Sequence, residues 1–87
     1  MNYLIYFDPY FVRQYKKLTP DIQHIVKNKI ELLKDKTNHE LLKVHKLHGR
    51  LSEFYSFSVT YSLRIVFGYT NITEINILKV GSHDVYK

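Results

Sequence analysis

Three stretches of this chain carry side chains able to hold an anion or move a proton. The first is Arg64, which interrupts the otherwise apolar run Leu63-Arg64-Ile65-Val66-Phe67. A permanent cation within a strand needs an anionic partner or water, and the forked guanidinium suits a phosphate. Its plainer reading is an ion pair at a sheet edge with Glu53, Glu74 or Asp84. The second stretch is Gly81-Ser82-His83-Asp84-Val85-Tyr86, which ends the apolar run Ile75–Val80. The glycine allows a sharp turn where the strand stops. At 83 stands a histidine, the residue type suited to acid/base work near neutrality, and Tyr86 is able to stack on a base or donate a proton.

The third stretch is basic: His45, Lys46, His48 and Arg50, with no acidic residue between Leu41 and Ser52. These groups suit phosphate contacts or an acid/base imidazole, and equally a solvated loop leading into a strand. His45 and His48 lack a carboxylate partner at metal-ligand spacing, so no metal site is expected.

The elements that must position these groups follow from periodicity. Tyr3 to Phe7 is aromatic and β-branched, which predicts a strand. Asp8-Pro9 and Thr19-Pro20 each read as an N-cap followed by proline at the first helical position. Phe11, Val12, Tyr15 and Leu18 recur at helical spacing, as do Ile22, Ile25, Val26, Ile30 and Leu33. Two helices across so short a break form an antiparallel hairpin. A looser polar segment spans 35–52. Beyond it Tyr55, Phe57 and Val59 alternate with Ser56 and Ser58, and two further strands end at Val80.

The expected fold is therefore α+β: an N-terminal strand, an antiparallel helix hairpin, then a three-stranded antiparallel meander, with the helices on one sheet face. The first strand is free to pair beside the last. Alternation turns Tyr55, Phe57, Val59, Leu63, Ile65 and Phe67 toward the helices. Ser56, Ser58, Ser62, Arg64 and Val66 then form an open, polar, cationic face.

The 87 residues fit one domain, 1–87, with 45% hydrophobic and 15% aromatic content. Thirteen Lys and Arg against eight Asp and Glu give +5, which favours a nucleic acid or an acidic protein as partner. The chain has no cysteine, which excludes thiolate catalysis and Cys-based zinc sites. The opening Met1–Phe7 is interrupted too early by Asp8-Pro9 for a signal peptide or membrane span. A soluble, cytoplasmic protein without membrane partners is expected.

Taken together, Lys46–Arg50, Phe54–Val59, Tyr61–Phe67 and Val80–Tyr86 resemble the RelE/ParE superfamily of bacterial type II toxins. The ending is most similar to the RelE/StbE and YafQ-like branch of mRNA interferases. The resemblance implies the RelE-like fold and metal-free endoribonuclease activity on ribosome-bound mRNA. The 2′-hydroxyl would attack the adjacent phosphodiester, leaving a 2′,3′-cyclic phosphate and a 5′-hydroxyl, and translation would stop. It implies roles for Arg64 in stabilising the phosphate, His83 as proton donor and Tyr86 as stacking or proton-transfer group. His45 becomes the leading base, with Lys46 and His48 as substitutes. Arg50, Ser56 and Ser58 join Lys46 and His48 as RNA contacts. Ser56 and Ser58 stand where RelE-like members carry lysines, so this site has fewer ionisable groups. The implied partners are a cognate antitoxin, the ribosome and mRNA, with no small-molecule cofactor. Two alternatives stay open: a ParE-like inhibitor of DNA gyrase, and a degenerate toxin that only binds its antitoxin.

Overall fold

Asp8 starts the first helix as its spacing predicts: the residue is extended and its carboxylate accepts from Tyr10 N–H at 2.9 Å. In the computed structural model, which describes residues 2–82 and Val85, that helix is α1 (Pro9–Lys16) and follows strand β1 (Leu4–Phe7). Helix α2 (Pro20–Leu33) starts at Pro20 after an extended Thr19, although the Thr19 side chain makes no capping bond. The hairpin between them is locked reciprocally. Tyr15 Oη donates to the Gln23 carbonyl at 3.2 Å, and Gln23 Nε2 donates to the Tyr15 carbonyl at 2.9 Å.

The remaining elements are β2 (His45–Lys46), β3 (Tyr55–Ser58), β4 (Arg64–Asn71) and β5 (Glu74–Gly81). They form one mixed sheet in the order β1-β5-β4-β3-β2. Strand β1 pairs parallel with β5, beside the last strand, and the other contacts are antiparallel. The α+β architecture expected from the sequence is present, with one strand more. Strand β2 falls inside the segment read as irregular, because two residues are too few to display an alternation.

Phe57, Ile65, Phe67, Ile75 and Ile77 are fully buried against Phe11, Val26, Ile30 and Leu33 from the helices. Ile77 and Val80 both join this core although three residues apart. The cause is a bulge: Val66 pairs with Lys79 and Phe67 with Ile77, so Leu78 is an extra residue in β5. Strand β1 ends its pairing at Ile77, and the next stretch of β5 borrows a partner from α1. Val80 N–H donates to Gln14 Oε1 at 2.9 Å.

The outer face departs from the expected open polar surface. Val66 and Ser56, opposite each other in the ladder, are both buried. Leu51, Phe54, Val66, Leu78 and Val85 line one shallow recess on this side. A Cβ on Gly68 would lie 3.3 Å from the Phe54 ring. This second apolar layer comes from a 3₁₀ turn at Gly49–Leu51 and the residues after it.

At the end of the sheet remote from Arg64, Tyr69 sits edge-on to Tyr55 and Phe67, and Tyr3 stacks on His39 at 5.3 Å. Desolvation among these rings pushes the Tyr69 phenol up to about 12, with Tyr3 reinforcing the shift. A phenol whose pKa is raised on folding contributes stability below its unfolded value near 10. That contribution is lost as pH rises toward about 12. Tyr69→Phe removes the titrating group and is expected to move the alkaline unfolding midpoint upward in a pH-resolved circular dichroism series.

Gln14 supplies a second test. Gln14→Leu strands the Val80 N–H and should cost about 1–3 kcal/mol. Urea unfolding should show a lower midpoint at unchanged slope.

Candidate nucleic-acid interface

Arg64 begins the middle strand of the meander, and the ladder fixes its neighbours. It pairs with Ser58 on β3 and with Gly81 on β5. Residues directly opposite share a face, so Ser58, Arg64 and Gly81 form one row on the outer side. Both flanking residues are small, which leaves the guanidinium room. Its Nη1 donates to the Ser58 hydroxyl.

Around Arg64 lies a cleft of about 580 Å³ lined by Ser58, Thr60, Tyr61, Ser62, Arg64 and Ser82. One cation among hydroxyls, open to solvent, is suited to bind an oxyanion. The floor is the β3–β4 turn, held by three hydrogen bonds. Val59 and Thr60 N–H donate to the Leu63 carbonyl at 2.8 and 3.3 Å, and Leu63 N–H donates to Thr60 Oγ1 at 3.1 Å.

Ser82, the residue before His83, is on the cleft wall. Val85 N–H donates to the Ser82 carbonyl at 3.0 Å. Val85 is buried, and a Cβ added to Gly81 would meet its Cγ1 at 2.8 Å. Glycine at 81 therefore serves close packing as well as turning. His83 and Tyr86 lie outside the described residues.

Of the basic run, His45 falls on the same face, further out, whereas Lys46 pairs with Tyr55 and takes the helix-facing side of the sheet. His45 pairs with Ser56, placing it one row along and two strands across from Arg64. From standard strand spacings the two backbones are on the order of 12 Å apart. His45 Nδ1 lies 3.1 Å from the Lys43 carbonyl. A carbonyl only accepts, so Nδ1 carries the proton and Nε2 is the basic atom. Lys46, His48 and Arg50 are exposed on β2 and the turn that follows.

Ser56 is the correction. It was expected to contact RNA, but it is fully buried and its hydroxyl donates to the Ile65 carbonyl at 2.8 Å. The apolar layer on the outer face explains this. Ser58, two residues on, is exposed and faces the cleft. Tyr61 was not singled out from the sequence, yet it lines the cleft and is 99% exposed. Its signal was available: a large aromatic inside the short turn Thr60-Tyr61-Ser62, where no core position exists. Among the described residues, no group of three His, Cys, Asp or Glu side chains is placed to hold a metal ion. No helix among them is long and apolar enough to cross a membrane.

Comparison with solved structures identifies the fold. The YoeB/ParE toxin of Agrobacterium tumefaciens superposes with a TM-score of 0.78 at 14% identity, over 92% of this chain and 98% of that one. RelE of E. coli gives 0.76 at 22% identity, over 99% and 92%. The YoeB–YefM complex of Staphylococcus aureus gives 0.75 at 20%, over 95% and 99%. The chain thus has the RelE-like fold along nearly its whole length. No protein-family model and no curated protein sequence matches the chain.

The contact at Gly81 is testable. Gly81→Ala should cost about 1–3 kcal/mol by overpacking against Val85. Adding Val85→Ala should recover part of that loss, so a double-mutant cycle by urea unfolding should return a favourable coupling.

Proposed function

We propose that this chain is a toxin of the RelE/ParE type that cleaves mRNA on the ribosome and is neutralised by a cognate antitoxin. The observation that carries this reading is the row Ser58–Arg64–Gly81, which sets a guanidinium beside the strand end leading to His83. The likeness to RelE and YoeB toxins supports it at the level of fold.

The reaction needs no cofactor. A base takes the proton of the 2′-hydroxyl, which attacks the adjacent phosphorus. The 5′-oxygen leaves with a proton from an acid, giving a 2′,3′-cyclic phosphate and a 5′-hydroxyl. Negative charge builds on the phosphorane, and Arg64 is the cation that stabilises it. His83 donates the proton to the leaving oxygen. His45, basic at Nε2, removes the first proton, and Tyr86 stacks on or protonates the substrate. His48, Arg50 and Ser58 hold the strand.

The partner reading has its own support. A groove lined by Leu4, Ile5, Phe7, Phe11, Tyr15 and Ile30 runs beside β1, and Lys27 and Lys34 border it. Leu4 and Phe7 are about half exposed, at 59% and 47%. An amphipathic antitoxin segment fits this apolar floor with an acidic residue opposite Lys27 on the rim, where Lys34 is already ion-paired with Glu31 at 3.0 Å. The solved E. coli RelBE structure, similar in fold, is a toxin–antitoxin complex.

Inducible expression tests the nuclease reading. Wild-type protein should arrest growth and produce transcript 5′ ends inside codons. Arg64→Ala should lower cleavage by about 10²–10³-fold, and His83→Ala should also relieve arrest. Arrest with intact mRNA and broken DNA would favour the gyrase-inhibitor reading. Toxicity unchanged in both variants would contradict the assigned site.

A further inference from the structure

Tyr61 is the most exposed large apolar residue of the described chain, at 99%, and stands at the tip of the β3–β4 turn. A tyrosine ring left wholly in water forfeits the burial that most aromatics obtain. Scattered exposed apolar residues are ordinary, but this one lines the cleft that holds Arg64. Its turn is also rigid. Three hydrogen bonds tie Val59, Thr60 and Leu63 together. Among the described non-glycine residues only Lys43 has positive φ, so the turn holds its shape without left-handed strain.

A flat π-face and a forked cation on one short cleft match the two halves of a nucleotide. The guanidinium takes the phosphate, and the ring takes the base without reading its identity. The hydroxyls of Ser58, Thr60, Ser62 and Ser82 line the cleft around them. We propose that Tyr61 is a base-stacking platform for single-stranded RNA, seating the nucleotide whose phosphate Arg64 receives. This rests on the nuclease reading above for the identity of the ligand and adds a substrate-binding residue to it.

The test is a short single-stranded RNA carrying 2-aminopurine and made uncleavable by 2′-O-methylation, offered both free and on a programmed ribosome. Stacking on the wild-type ring should quench the fluorescence. Tyr61→Ala and Tyr61→Leu should weaken binding by about tenfold or more and abolish the quenching, while Tyr61→Phe should retain both. Because the side chain lies in solvent, all three variants should match the wild-type thermal midpoint. Leucine keeps the apolar bulk and loses only the π-face, so an effect on it identifies stacking.

Unchanged affinity and quenching in Tyr61→Ala would overturn the proposal, as would wild-type protein that fails to bind the probe in either setting. Loss of affinity for an antitoxin with RNA binding intact would assign Tyr61 to a protein contact and also overturn it. Wild-type protein that binds and quenches the probe, yet leaves the cleavable RNA whole, would contradict the nuclease reading while supporting the platform.

Discussion

A cation on the middle strand of a sheet is useful only if its neighbours leave it room. Arg64 meets that constraint because the antiparallel ladder seats it between Ser58 and Gly81. A bulky residue on either side would cover the guanidinium. A register slip of one residue would turn it into the helix-facing core. The Leu78 bulge and the Gln14 bond to Val80 both act on this register, holding β5 in place just before the site. The helix hairpin thus helps position the cleft, although neither helix supplies a residue to it.

The two faces of the sheet divide the work. One face packs against α1 and α2 and supplies most of the core. The other carries a smaller apolar layer of Leu51, Phe54 and Val85 next to the polar cleft. This layer ties the end of the chain to the sheet. Val85 lies against Gly81, which is Arg64's own ladder partner. Packing there and chemistry in the cleft are therefore linked through one glycine. The +5 charge of the chain adds a long-range attraction for polyanions that the local geometry then focuses.

Much of this was legible from residue order. Asp8-Pro9 and the alternation from Tyr55 to Val59 announced α1 and β3 because caps and period-two patterns are local signals. Arg64 stood out for the same reason, as one charge in an apolar run. The buried Ser56 was not legible, since alternation tells which face a residue takes but not what covers that face. Its roof comes from Leu51 and Phe54, in a segment without periodicity, and from Val85 at the far end of the chain. The bulge at Leu78 was hidden for a related reason: an unbroken apolar run reads the same with or without an extra residue. Tyr61 was legible as an aromatic in a turn too short for a core position, although its full exposure is a property of the folded turn.

The central claim is that the strand arginine and the terminal imidazole serve one phosphate. NMR of protein labelled at arginine side chains and histidine rings, titrated with a nucleoside 3′-phosphate, tests it most directly. The Arg64 Nε and His83 ring resonances should shift together and saturate with one dissociation constant. A shift at Arg64 with His83 unmoved, or two separate constants, would contradict it.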